Sequence, residues 1–332
     1  MNNFKKIGMT ALAASLVSTS VFSGELTVAG SAGINWENYS GSDMNTTKSF
    51  SMGNQITFSG SGELDNGLNV SVSFVIDEFD GANVESVANS GSVFDAHSVT
   101  VSSDALGTLK FHGEGGDSAQ NAVGDTAGGN IWDNFDTKAT GAATLSESGA
   151  TTNMMHYTLP TLVDGVALSA SYVPAGATDT SDTAYAIVYT GIEGLTASYG
   201  HGTSDQDAAG TLDNTADAET TSMKLSYVYG SVTLAYSDHE HDSNTDTSDQ
   251  DAKSMKISYA VSDDISVTYA TEEIDSNATD GNEDAEYTKI TTSYTSGGMT
   301  IAANYQDAEN IAFGTAVTED VEYYGLSLSF AF

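Results

Sequence analysis

The chain is 332 residues long and carries 46 acidic residues against nine basic ones, all of them lysine, for a formal charge of −37. So negative a chain is a poor electrostatic match for nucleic acid or for anionic lipid headgroups, and without cysteine it has neither disulfides nor a catalytic thiol, so packing and backbone hydrogen bonds must hold it together. Sixteen tyrosines and twelve phenylalanines separate it from acidic chains that stay disordered, and only Pro160 and Pro174 interrupt its supply of backbone donors.

In chain order, the first segment has Lys5 and Lys6 followed by a mostly apolar run from Ile7 to Phe22 that closes on Ser23. This is the pattern of an export signal cut after Ser23, since Ser15, Ser18, Thr19 and Ser20 break the run short of the ~18 residues of a spanning helix. Residues 1–23 are thus expected to be a signal peptide and 24–332 the folded unit. Removing 23 of 332 residues leaves 309, and the loss of two lysines and no acid takes the charge from −37 to −39.

Beyond Gly24 no stretch is long and apolar enough for a transmembrane helix. The chain alternates instead between short segments that are apolar at every second position and polar linkers that are short and long by turns. Leu26, Val28, Ile34 and Trp36 share one face, then Ile56 and Phe58, an Asp65-Asn66-Gly67 turn, and Leu68, Val70, Val72, Phe74 and Ile76. An Asn-Gly pair between alternating runs is a strong hairpin signal. The same grammar continues through 99–101, 109–111, 155–159, 166–172 and 185–189. From Leu195 it is clearest: Met223, Leu225 and Tyr227, a turn at Tyr229-Gly230, then Val232, Leu234 and Tyr236, with the unit repeating at Met255 and Ile290.

The count is about sixteen strands, with seven short turns and eight long loops, and an even number is what a bacterial barrel requires. The fold class expected is all-β, a transmembrane antiparallel up-and-down barrel. The polar face is rich in Ser, Thr, Asn and Lys, unlike a packed sandwich interior, so the apolar face should look outward and the lumen should be wet. Several apolar sets cover only five to seven residues, so Ser and Thr must fill out a band that needs about 9–11. The terminal strand is the sharpest signal: Tyr324, Leu326, Leu328, Phe330 and Phe332 alternate with Gly325, Ser327, Ser329 and Ala331, and Phe332 is the last residue.

With that terminal strand, with Ala105-Leu106-Gly107-Thr108-Leu109-Lys110-Phe111 and with Asn153-Met154-Met155-His156-Tyr157-Thr158-Leu159-Pro160, the chain resembles the trimeric sixteen-stranded porins of Gram-negative bacteria over essentially its whole mature length. The resemblance implies an outer-membrane location, a homotrimer, recognition of the terminal strand by the barrel insertion machinery, contact with outer-membrane lipid, and passive diffusion of small hydrophilic solutes and ions. It also implies that residues 114–152 form a third loop folded into the lumen. Family members set arginines on the wall against carboxylates of that loop. Here there is no arginine, and His156 stands where relatives carry one.

Parity carries the pore-lining assignments. Lys110, Lys224, Lys256 and Lys289 oppose the apolar residues of their own strands and should point inward, with Glu114, Asp117, Asp125, Asp133 and Asp136 of the third loop facing them across the passage. Opposed charges in a narrow pore would order water and filter polar solutes. His112 and His156 have inward parity, and His97 shares the outward parity of Val99.

His239-Glu240-His241 is expected in an acidic loop spanning 238–251, and a second acidic loop spans 275–286. In the second, Asp275, Asn277 and Glu286 fall at positions one, three and twelve of a calcium loop, but glycine stands at position seven where six is needed. No cofactor or dedicated metal site is expected, only weak divalent binding by these loops. No nucleophile, zinc or phosphate-loop motif is present, so an enzyme is not expected. With an excess of acids the channel should favour cations mildly. The competing readings are a substrate-specific outer-membrane channel and a secreted acidic β-rich adhesin or surface protein.

Overall fold

The computed structural model describes residues 25–41, 48–77, 94–139, 142–145, 152–174, 181–205, 218–243, 249–276, 283–313 and 320–332. The expected signal segment lies outside the described residues. Sixteen antiparallel strands follow one another: β1 (Glu25–Gly41), β2 (Lys48–Glu63), β3 (Asn69–Asp77), β4 (Ala96–Ser103), β5 (Gly107–Glu114), β6 (Met154–Thr158), β7 (Val166–Val173) and β8 (Ser181–Tyr189). The second half holds β9 (Leu195–Asp205), β10 (Ala218–Tyr229), β11 (Val232–Asp242), β12 (Gln250–Ala260), β13 (Ile265–Ser276), β14 (Ala285–Ser296), β15 (Met299–Glu309) and β16 (Val321–Ala331). Each strand pairs with its sequence neighbours, and β16 returns to β1, closing the barrel. Closure leaves no edge with unpaired donors, which is the only way a sheet can cross hydrocarbon.

Burial is inverted relative to a soluble protein. The large apolar side chains of the strands are the exposed ones, with Phe50, Val28, Met255 and Leu326 at 78, 60, 60 and 49 %. Many of the buried strand positions are small, Ala184, Ala235, Ala252, Ala270, Ser222, Ser237 and Ser254 among them. An apolar surface running around the barrel far exceeds the patch of a few hundred Å² that a soluble monomer tolerates, which removes the secreted adhesin from consideration. Tyr227, Tyr259 and Tyr294 close the apolar sets near the short turns, and the ring pairs Tyr185–Tyr199 (6.3 Å) and Tyr305–Tyr324 (5.1 Å) lie farther toward the long loops. Amphipathic rings at both margins are what an interfacial girdle needs.

The terminal strand behaves as its alternation predicts. Tyr324, Leu326 and Phe330 are exposed, Leu328 is partly so, and Phe332 reaches 76 %. The backbone of Phe332 donates to the Gly30 carbonyl at 2.9 Å and accepts from the Gly30 N–H at 2.8 Å. The last residue therefore completes the β1–β16 seam.

Two sequence expectations about loops are corrected. Asp238 to Asp242 are not in a loop but on β11, with His239 and His241 on its inward face and Asp238, Glu240 and Asp242 on the outward one. Asp275 and Glu286 likewise belong to β13 and β14, which removes the calcium-loop spacing, and Asn277 lies outside the described residues. The physical reason is common to both. These strands extend past the hydrocarbon band, where ladder hydrogen bonds persist but outward residues meet water, so polarity no longer signals a loop. Among the described residues no three His, Asp or Glu side chains converge to hold a metal ion.

Candidate pore constriction

The described part of the connection from β5 to β6, residues 115–139 and 142–145, folds into the barrel, as two short 3₁₀ turns, Asn121–Val123 and Ile131–Asn134, set among irregular backbone. A loop inside a lumen must satisfy its own backbone groups, and here the wall supplies the partners strand by strand. The Ala119 N–H donates to Ser171 Oγ of β7 at 2.8 Å, and Gln120 Nε2 donates to Ser222 Oγ of β10 at 2.5 Å. The Ala127 and Gly128 N–H groups donate to Ser237 Oγ of β11 and Ser254 Oγ of β12, both at 2.8 Å. On β13 the Glu272 carboxylate, 2 % exposed, accepts from the Trp132 N–H at 3.1 Å and from the Thr126 hydroxyl. Asn134 Nδ2 donates to Gln306 Oε1 of β15 at 3.0 Å.

Small wall residues let the loop come this close. A Cβ at Gly200 of β9 would lie 2.8 Å from the Val123 side chain and 2.9 Å from the Gln120 backbone. The later arm of the loop is held differently. Ile131, Phe135 and Ala143 pack with Ile274, Tyr287, Ile311, Phe313, Val321 and Tyr323 into an apolar cluster inside the barrel mouth. Lys138 stands over the Tyr39 ring of β1, 3.8 Å from its centroid. The loop thus lies along the arc from β7 round to β15 and reaches β1.

Several predicted pore residues move accordingly. Lys224, Lys256 and Lys289 do occupy inward positions on alternate strands, β10, β12 and β14. They do not face the loop across the passage, because the loop rests on their own wall: Lys224 Nζ donates to the Asp125 carbonyl at 2.6 Å. Parity fixes which face a residue occupies but not which part of the circumference a loop will cover.

Lys110 is inward and partly exposed. His112 is inward but only 7 % exposed, packed under the loop's first turn with Met154, so it does not line open water. Glu114 belongs to β5, not to the loop. A bulge at Gly113 sets it opposite His97, so the alternation that carries Lys110 and His112 inward does not extend to it. A Cβ at Gly113 would lie 2.0 Å from the His97 ring, so the ring rests against the bulge. His156 contacts the Asp117 carbonyl through Nδ1 at 3.2 Å.

Asp117, Asp125 and Asp133 are exposed on the loop, and Asp136 is partly so. Partial burial, then the neighbouring Asp136 and Asp125, push the Asp133 carboxyl above the usual carboxylate range, the mark of a locally negative field. Reasoning from the sequence missed Glu272 and the serine row. The signal for the serines was present, as Ser222, Ser237 and Ser254 are small, polar and inward on three consecutive strands. Glu272 had none, being one acid among 46.

Residues 8–332 match the family described as Gram-negative porin. No curated protein sequence matches the chain. Among solved structures, a Salmonella typhi OmpF in complex with daunomycin is 14 % identical, covering 92 % of this chain and 97 % of its own, with a TM-score of 0.68. An anion-selective porin from Comamonas acidovorans is also 14 % identical, with 93 % and 100 % covered and a TM-score of 0.67. A multiply substituted Rh. blastica porin is 16 % identical, with the same coverage and a TM-score of 0.63.

Proposed function

The chain belongs to the Gram-negative porin family, and from that premise we propose that it is a passive outer-membrane channel for small hydrophilic solutes and ions with a modest preference for cations. The observation that carries the preference is the unequal state of the charges on the loop wall. Asp125 and Asp133 are exposed, whereas Lys224 is tied to a loop carbonyl and Lys138 lies on an aromatic ring. With every basic residue a lysine and acids in large excess, the field felt by a permeating ion is negative.

The rest of the reading is of the same standing. Residues 1–23 direct export and are removed, three barrels assemble, and the outward row Tyr324, Leu326, Leu328, Phe330 and Phe332 is read by the insertion machinery before it meets lipid. No step of bond chemistry is involved. Divalent ions associate weakly with the outward acids and need no dedicated site.

The test is electrical. Purified protein in a planar bilayer under a tenfold potassium chloride gradient should give stepwise conductance and a reversal potential favouring potassium. The preference should grow as salt is diluted, because screening over ~8 Å at physiological ionic strength leaves only charges near the path effective. A reversal potential favouring chloride would contradict the proposal, and saturable block by one solute would point to the substrate-specific channel.

A further inference from the structure

The inward lysines share one height. The loop packs over His112 of β5 and touches Ser222 of β10, Ser254 of β12 and Tyr287 of β14, the last through the Phe135 ring at 5.7 Å. Lys110, Lys224, Lys256 and Lys289 each stand two residues from one of these contacts, in every case toward the short turns. Successive inward positions are about 7 Å apart, so a tier of four partly exposed lysines underlies the loop. On the short-turn side of the tier the same strands continue inward with neutral hydroxyls, Thr108, Ser226, Ser258 and Thr291.

The acids are distributed the other way. Only eight of the 46 lie on the short turns or at the strand ends beside them, and the rest lie in the constriction loop, in the long-loop halves of the strands or on the long connections. Glu37, Asp77 and Asp182 bring acids onto the inward face of the long-loop half. Asp117, Asp125 and Asp133 are exposed on the loop itself. A solute entering from the long-loop side therefore meets a negative mouth, a loop edged with acids and then a cationic tier, in series.

We infer that the channel is electrically polar along its axis and passes current more readily when the long-loop side is positive. Fixed negative charge gathers cations, and fixed positive charge gathers anions. With the long-loop side positive, cations are driven in through the acidic mouth and anions are driven in past the lysine tier. Each carrier then enters from the end where it is enriched, and the lumen fills with both. The reverse voltage draws each carrier from the end where it is scarce, and the lumen is depleted. The inference rests on the channel reading above and adds a direction to it. The net preference for cations, set by the larger charge, is kept.

Single insertions recorded in symmetric potassium chloride test it on the unmodified protein. The ratio of currents at equal and opposite voltages should stand above one at about 0.01 M, where charges act over about 30 Å, and return to one at about 1 M, where they act over about 3 Å. A ratio of one in dilute salt would overturn the inference and leave the channel standing, whereas an absence of conductance steps would overturn the channel itself. The trivalent cation hexaamminecobalt identifies the side. Added to one compartment at a time, it should abolish the asymmetry only from the compartment whose positive polarity gave the larger current. Action from the opposite compartment alone, or equally from both, would contradict the assigned direction. Lys110→Gln combined with Lys256→Gln thins the tier and should bring the dilute-salt ratio toward one. An unchanged ratio in the assembled double variant would overturn the inference.

Discussion

The two arcs of this barrel are built from the same alternation and end in different states. On β9–β13 several inward positions are small and buried, with Gly200, Ser222, Ser237, Ser254 and Ala270 among them. On β2–β4 most of them are polar and partly exposed, as at Gln55, Thr57, Ser73 and Thr100. One arc is a docking surface and the other is the bare face of the water path. What differs is the fit to the loop: at Gly200 a side chain would meet Val123 and the Gln120 backbone, and Ser237, Ser254 and Glu272 accept from loop N–H groups, while the second arc carries glutamine and threonine. A porin wall is therefore specified twice, once by the two-residue period that sorts lipid from lumen and once by the fit of the inward residue to the loop.

The largest expected effects come from violating the first rule. Arg in place of Leu328, outward on β16 at the middle of the row from Tyr324 to Phe332, should cost about 2–4 kcal/mol near the midplane and sharply reduce heat-modifiable assembly on unheated gels. Arg at the adjacent inward Ser327 should assemble normally, and equal yields would show the register to be wrong. Phe332→Ser should likewise impair assembly, because it strips the exposed ring from the residue that closes the seam with Gly30. Phe313 is 8 % exposed within the apolar cluster that holds the later arm of the loop. Its loss should alter conductance more than assembly.

Next come variants that break the second rule and leave the barrel intact. Glu272→Ala removes the acceptor for both the Trp132 N–H and the Thr126 hydroxyl. Hydrogen bonds to a charged group contribute about 1.5–3 kcal/mol each, so the loop should loosen, with noisier and larger single-channel currents and an unchanged yield of heat-modifiable barrel. Glu272→Gln should fall between. Ser237→Ala and Ser254→Ala each delete one neutral bond, about 1 kcal/mol, and should give a smaller change of the same kind. Unchanged currents in all of these variants would mean that the wall does not hold the loop.

The smallest effect is that of pH. Because the Asp133 carboxyl lies above the ordinary range, it takes up its proton before ordinary aspartates do as pH falls. Cation preference should therefore begin to decline above the usual carboxylate range. In Asp133→Asn that early portion of the decline should be absent.

Most of the barrel was legible because lipid and water impose opposite demands on successive residues, and Leu326, Leu328 and Phe330 answer them in plain sequence. The strand extensions at His239–Asp242 were not legible, since above the hydrocarbon band polarity stops distinguishing strand from loop. Nor was the side of the lumen on which the loop rests, because that depends on contacts such as Gly200 with Val123, which join residues far apart in the chain and carry no period. The expected opposition of Lys224, Lys256 and Lys289 to the loop acids failed for the same reason.

The placement of the loop against the loop-bearing arc is the central claim, and the absence of native cysteine allows it to be tested by cross-linking without background. A Cβ built at Gly128 would lie 2.9 Å from Ser254 Oγ, a separation that a disulfide accommodates. The double variant Gly128→Cys with Ser254→Cys should therefore oxidise rapidly in native barrels and leave the single-channel conductance nearly unchanged. The pair Gly128→Cys with Thr57→Cys, which spans the lumen, should stay reduced. Ready cross-linking of the second pair and none of the first would contradict the account.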